Sequence, residues 1–457
     1  MTGIKNNRPY LALVATVLLL ILLAPLIQHL AKPIALKSLN GYHQTSAEPM
    51  FSLSGWFLGD YQQNAEKYLE ENAGFRSLEV RLYNQLQFSL YREVNTQGVV
   101  IGKDGYLYSQ DYIDAFLGND FVGEEKIKER VWALGKIQDT LKKLNKNLLV
   151  VLAPGKASYL PEYLPKQVHF EDAGITNYEI YSQALNTSSV PFLNLFEWFK
   201  QAKDSSRFPL YPKTGIHWSR YAELMAANKI LKIIDSIQPK PVPYLRFTTI
   251  DQSLEMNFTD DDIEKSLNLL FDIDDLTMAY PNYNIEDTDD QNNPKVLAVA
   301  DSYFWGMHAS DFNNKLFGKS EFWYYHTEVD PMPGVESKKV ADLDLIEAVE
   351  NNDVVMLMAT DANLYKFAYG FIDELYSAYY HDTLRFSPAA QKASRIKELT
   401  DFILEGTKAD YNELVEKGMI KEGISRQTSA QNLADFLYWQ ETQDKAQHYN
   451  FHKKRKP

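Results

Sequence analysis

KVLAVADSYFW, residues Lys295–Trp305, sets the fold class. Lys295 to Ala300 is a short apolar run with valines, entered behind Pro294. Consecutive apolar positions, rather than alternating ones, suit a parallel strand buried on both faces. The run stops at Asp301-Ser302, and a helix is expected from Tyr303. A serine at the carboxyl end of such a strand faces the crevice where open α/β sheets bind ligands, and the backbone N–H groups of the turn can receive an oxyanion. Serine also caps helices with no chemistry attached. The stretch alone leaves both readings open.

Working outward, the pattern is α/β. Leu148–Ala153 (LLVVLA) reads as a buried strand after an amphipathic helix over 123–147, whose Val131, Leu134, Ile137, Leu141 and Leu144 share one face. A helix over 176–186 leads to a strand at Val190–Leu195, and Phe322–Tyr325 and Val354–Met358 are further strands. Strands alternating with helices imply a parallel sheet with right-handed crossovers. VVIGKDGYLY (Val99–Tyr108) carries the turn signal Lys103-Asp104-Gly105 between two apolar pieces and reads as a hairpin. Residues 251–293 are acid-rich, with Asp260, Asp261, Asp262, Asp272, Asp274, Asp275, Asp287, Asp289 and Asp290. They lack the glycine and terminal glutamate of an EF-hand, so a solvated insertion is expected and no metal site.

The 457 residues carry 61 acidic against 47 basic side chains, and the net charge of −14 argues against a nucleic-acid partner. The chain has no cysteine, which excludes disulfides, thiolate nucleophiles and zinc–thiolate sites. Leu11–Ile27 is almost wholly apolar, and no charge falls between Arg8 and Lys32, long enough to cross a bilayer. No small-residue cleavage site follows, so a retained signal anchor is expected, with Lys5 and Arg8 on the cytoplasmic side and the rest beyond the membrane. The expected organisation is a cytoplasmic tip and transmembrane anchor over 1–32, a linker and helical stalk over 33–97, an α/β domain over 98–386 holding the acidic insertion, and a C-terminal helical extension over 387–457.

A serine hydroxyl needs a base to take its proton, and histidine is the usual one. Of nine histidines, His217 stands out: it lies in the loop YPKTGIHWSRY (Tyr211–Tyr221), with Trp218 beside it and a helix after it. His308, six residues after Ser302, belongs to the outgoing helix. Alone, a His-Trp pair in a loop is compatible with simple packing.

Four blocks fall in an order that resembles the alginate O-acetyltransferase AlgJ/AlgX group of SGNH-hydrolase-like proteins. They are IGKDGYLY (Ile101–Tyr108), VLAPGKASYLPEYLP (Val151–Pro165), YPKTGIHW (Tyr211–Trp218) and VLAVADSYF (Val296–Phe304). The resemblance implies a three-layer α/β/α domain in which Ser302 is the nucleophile, His217 the general base, and Asp301 a brace for the turn or a possible acid. Lys213, Trp218, Tyr303, Lys156 and Asn363 are candidate substrate-site residues: Trp218 and Tyr303 could stack on a sugar ring, although core packing suits such aromatics better, and Asn363 and the Pro154–Lys156 loop could add oxyanion donors. The activity implied is transfer of an acetyl group, through a serine ester, to hydroxyls of an exported polysaccharide. No cofactor is implied; the acetyl donor would be a multi-spanning membrane acyltransferase, and the chain would sit in the inner membrane with its globular part in the periplasm. An acetylesterase using the same pair, or a non-catalytic glycan-binding scaffold, is the alternative. The latter draws on one departure: the group's acid two residues before the histidine is Gly215 here. Asp301, Glu223 and Asp361 are candidate replacements. Ala300, in place of the group's glycine before Asp301, is a milder departure.

Overall fold

The computed structural model describes residues 8–41, 46–286, 293–406 and 408–453. Lys5, Asp287, Asp289, Asp290 and the end of the chain beyond Lys453 lie outside the described residues. The strands are β1 (Val99–Ile101), β2 (Leu107–Ser109), β3 (Asn147–Ala153), β4 (Phe192–Asn194), β5 (Tyr244–Ser253), β6 (Met278–Glu286), β7 (Val296–Ala300), β8 (Glu321–Tyr324), β9 (Glu328–Val329), β10 (Lys338–Lys339) and β11 (Val354–Thr360).

The large sheet has the order β10-β9-β8-β7-β11-β3-β4. From β8 to β4 all neighbours are parallel, and β9 and β10 add an antiparallel edge. The inner strands β3, β7 and β11 are apolar without alternation because both faces are covered. Leu149, Val151, Ala298 and Met356 pack into one core and Leu148, Val150, Leu297 and Val355 into the other. Full burial of each such aliphatic side chain contributes ~1.5–3 kcal/mol, so the sheet's centre is the rigid part of the molecule. Helices on one face include Arg220–Ile237; on the other lie Glu124–Lys143, Asn177–Asn186 and Phe371–Tyr380. Glu124–Lys143 starts on Glu124-Glu125 and ends on Lys142-Lys143, matching its dipole at both ends. Thr176 and Glu179 close a capping box at the start of Asn177–Asn186.

Arg8–Ala31 is one helix, of which Tyr10–Ala31 is apolar and makes no buried window, the length a bilayer crossing needs. The helices Leu53–Leu58, Asp60–Asn72 and Arg76–Leu86 follow. At their bend, Gly74 packs so closely on the N-terminal helix that a Cβ would clash with the Pro25 carbonyl oxygen. The C-terminal helices Pro388–Leu404, Ala409–Glu422 and Arg426–Lys453 build a small core of their own around Ile396, Ile403 and Val415.

The acidic segment is ordered: β5 and β6 form an antiparallel ribbon with a largely exposed first strand, and between them the short helix Asp262–Leu267 buries Ile263 and Leu267. Ile263, Leu267 and Leu269, scattered among the aspartates, pack against Val99, Ile101 and Leu107 of the hairpin β1–β2.

Candidate active site

The site forms at the carboxyl ends of β7, β11 and β3. After Ala300 the chain stays extended through Asp301 (φ −86°, ψ −169°) and then winds into a short 3-10 turn, Ser302–Phe304, ahead of the helix Trp305–Ala309. Asp301 is fully buried. One of its oxygens accepts the Tyr303 N–H at 3.1 Å; the other accepts the Thr360 N–H at 2.8 Å, the Thr360 hydroxyl at 2.8 Å and the Asn363 amide at 2.9 Å. A carboxylate held by four donors braces the serine turn against the end of β11. It has no hydrogen bond to His217.

The histidine loop is fixed from three directions. The Lys156 ammonium, buried at the end of β3, donates to the carbonyl oxygens of Leu107, Lys213 and Gly215 at 2.8, 2.7 and 2.9 Å. Burial pulls that lysine down to about 7. Asp275 accepts the Lys213 N–H and the Thr214 hydroxyl. The Tyr303 hydroxyl donates to the Ile216 carbonyl at 2.8 Å, and Ser219 caps the helix that follows.

These restraints bring together two residues that are 85 positions apart. His217 Nε2 lies 3.0 Å from Ser302 Oγ. Behind the ring, Nδ1 lies 2.6 Å from Asp262 Oδ2, and the other Asp262 oxygen accepts the Ile216 N–H at 2.7 Å. A carboxylate on Nδ1 holds the tautomer in which Nε2 is free to accept a proton from the hydroxyl. Ser302 and His217 are half-buried and open to the crevice, and the Ser302 N–H donates to no acceptor among the described residues. Tyr325, held in the left-handed region (φ +49°) with its N–H on the Ala300 carbonyl at 3.0 Å, turns its hydroxyl toward Ser302.

Asp262 is the residue that sequence reasoning missed. None of the candidate replacements stands behind the imidazole: Asp301 braces the turn, and Glu223 is buried in an ion pair with Arg220 at 2.6 Å. Asp361 accepts from Ser158 and the Ala362 N–H, and burial raises it to about 7. The family position is closed for a physical reason. A Cβ on Gly215 would lie 2.6 Å from the Asp260 carbonyl oxygen and 2.7 Å from that of Thr259, because the segment delivering Asp262 passes directly beneath it.

The candidate substrate-site residues are engaged in packing or hydrogen bonds within the fold. Trp218 is 2 % exposed, stacked on Phe199 (centroids 6.0 Å, 9°) and edge-on to Tyr303, so no sugar ring can reach it. Tyr303 is equally buried, and its hydroxyl is spent on Ile216. Lys156 has all three N–H donors on carbonyl oxygens, and Asn363 has its amide hydrogens on Asp301 and Thr360. Lys213 is half-buried with its ammonium on the Asp274 carbonyl at 2.8 Å. These five side chains make their hydrogen bonds and packing contacts within the fold around the Ser302–His217 pair.

Residues 99–256 match the family model of the SGNH hydrolase-like domain of acetyltransferase AlgX. The probable alginate O-acetylase AlgJ of Pseudomonas aeruginosa is 24% identical over 219 residues, 47% of this chain and 51% of that protein. The AlgJ of Pseudomonas syringae pv. tomato is 23% identical over 176 residues, 38% of this chain and 42% of its own length. The chain thus spans about half the length of the curated relatives it matches. Among solved structures, the O-acetyltransferase domain of Pseudomonas putida AlgJ aligns with 62% of this chain and 99% of its own, at 18% identity and a TM-score of 0.39. Bacillus cereus PatB1 aligns with 60% of this chain and 99% of its own, at 16% identity and a TM-score of 0.41. The AlgX-domain match ends before both Asp262 and Ser302, whose contribution is read from the geometry alone. By sequence, then, residues 99–256 are similar to the SGNH hydrolase-like domain of acetyltransferase AlgX, and the chain is similar over about half its length to the AlgJ proteins.

Proposed function

We propose that the protein is a membrane-anchored O-acetyltransferase that carries an acetyl group on Ser302 and passes it to a hydroxyl of a polysaccharide. The observation that carries this reading is the unbroken line of hydrogen bonds from Ser302 Oγ through His217 to Asp262, at 3.0 and 2.6 Å, at the open end of the sheet. In the first half-reaction Nε2 of His217 takes the Ser302 proton as Oγ attacks the acetyl carbonyl. The tetrahedral oxyanion is met by the Ser302 N–H, and collapse expels the donor's leaving group, which receives the proton from the imidazolium. In the second half the sugar hydroxyl gives its proton to His217, attacks the serine ester and leaves as the O-acetyl sugar, and the proton returns to Ser302. Asp262 stays ionised throughout and stabilises the imidazolium.

The anchor would be the helix Tyr10–Ala31 in the inner membrane, with the sheet domain in the periplasm. The acetyl donor would be a multi-spanning membrane acyltransferase, the partner that the resemblance implies. A scaffold reading drew its support from Gly215, and the carboxylate of Asp262 takes the place of the acid that glycine displaced. The test is incubation of the full chain with an acetyl ester and an oligosaccharide acceptor. Acetylated sugar that disappears in Ser302→Ala supports the transferase. Acetate with no acetylated sugar refutes it in favour of an esterase, and no turnover by the parent refutes both.

A further inference from the structure

The helix that brings Asp262 to His217 has only six residues, Asp262–Leu267, and no side-chain cap at its start. A helix that short has no stability of its own in water, yet it must hold a carboxylate within hydrogen-bonding distance of the imidazole. Its far end shows what restrains it. Four side chains of the segment between residues 40 and 96 donate to backbone carbonyl groups of the helix's last turn and of the two residues that follow it. Asn40 Nδ2 reaches Lys265 O at 2.9 Å, Thr96 Oγ1 reaches Ser266 O at 3.0 Å, Asn84 Nδ2 reaches Leu267 O at 2.7 Å, and Arg81 Nη1 reaches Leu269 O at 3.0 Å. Asn268 closes the helix in the left-handed conformation (φ +50°), its side chain paired both ways with the backbone of Asn40. Arg81, itself buried, ties the same point to the Ser38 carbonyl at 2.7 Å. The apolar side of the helix rests on Phe88 and Val94, also from the stalk, beside the hairpin.

We propose that the stalk is part of the catalytic apparatus: Arg81, Asn84, Asn40 and Thr96 are positioning residues that hold the helix of Asp262 in register with His217. The stalk then does more than tether the domain. Residues on the membrane side of the fold set the orientation of the base, and a partner that shifts the stalk would change the chemistry of Ser302 without touching the crevice. The proposal rests on the triad reading above.

The test uses the full chain in detergent or nanodiscs, with Asn84→Ala, the double variant Asn40→Ala/Thr96→Val, and Arg81→Ala beside Arg81→Lys. Three readouts are taken: kcat and KM, the rate at which a sulfonyl fluoride modifies Ser302, and the low-field proton resonance of His217 Nδ1–H, which reports its bond to Asp262. A displacement of about 1 Å in a reacting group costs on the order of 100-fold in rate. The expected result is therefore a 10- to 100-fold fall in kcat and in Ser302 modification, KM within twofold, and a lost or shifted His217 resonance. Arg81→Lys, which keeps one donor of the fork, recovers part of the loss. Variants that lower the melting temperature but keep the parent's resonance, modification rate and kcat overturn the proposal. If Arg81→Ala does not fold, the two milder variants decide alone by the same criteria. A parent chain whose Ser302 is inert and whose His217 shows no low-field resonance overturns the triad reading, and the stalk's role falls with it.

Discussion

Replacing Asp262 by asparagine changes one atom in the contact that orients His217. The carboxylate has two jobs: one oxygen accepts the Ile216 N–H at 2.7 Å, the other faces His217 Nδ1 at 2.6 Å. An asparagine keeps its carbonyl oxygen on the Ile216 N–H, which leaves its NH2 group against Nδ1. Two donors cannot share that contact, so the ring gives up its Nδ1 proton and carries it on Nε2. There it faces Ser302 Oγ at 3.0 Å and has no lone pair to offer the hydroxyl. The geometry survives and the base is lost. The corresponding change in a serine-protease triad costs about 10⁴ in kcat, equal to ~5.5 kcal/mol of barrier at 1.36 kcal/mol per decade. The expected outcome is a fall of about that size in acetyl transfer, with the melting temperature close to the parent's. Single-turnover acetylation of Ser302, followed by intact-mass spectrometry, measures it directly. A variant within tenfold of the parent would refute the assignment of Asp262, and a full loss accompanied by unfolding would show the residue to be structural.

Other outcomes follow from the same geometry. Gly215→Asp, which restores the family's acid at its usual place, is expected to unfold more readily by ~1–3 kcal/mol or more and to leave Asp262→Asn unrescued, because a Cβ there meets the Asp260 and Thr259 carbonyl oxygens at 2.6 and 2.7 Å; urea unfolding and the double variant's rate check both. Asp301→Asn should cost at least ~2 kcal/mol of stability together with activity, since the fully buried carboxylate accepts from Tyr303, Thr360 and Asn363, and so separates from Asp262→Asn by its melting temperature. Trp218→Ala should destabilise by ~3–5 kcal/mol through its cavity, with no selective change in KM for the acceptor sugar. Burial raises Asp260, Glu264 and Asp361 to about 7, so the folded protein holds protons that the unfolded chain releases near pH 4. Their contribution is therefore complete below about pH 4 and is lost as pH rises toward 7. Lys156, pulled down to about 7 from above, acts only at higher pH. Melting temperature should fall from pH 5 to pH 7, and Asp361→Asn should flatten that slope.

Much of this was legible in the chain because burial on two faces leaves a strong mark. Strands β3, β7 and β11 are unbroken apolar runs, and the hairpin announces itself through Asp104 and Gly105, both in the left-handed region (φ 54° and 78°). Ser302 and His217 stood out because each sits where a strand or loop meets a helix. Their neighbours misled for an equally physical reason. Trp218, Tyr303 and Lys156 carry groups that suit a sugar site, but sequence does not say which way a side chain turns, and here they turn inward to fix the loop. Asp262 was hidden among other aspartates, with no spacing to His217 that a helix or strand period would generate. Only the folding of β5 and β6 into a ribbon swings it under the ring.

That delivery from a distance has an evolutionary consequence. Where acid and base share one loop, they are inherited together. Here a short deletion confined to the turn around Asp262 would remove the carboxylate behind the imidazole while leaving the sheet and the serine turn intact. The carboxylate can thus be lost in one step without touching the strand that carries the serine.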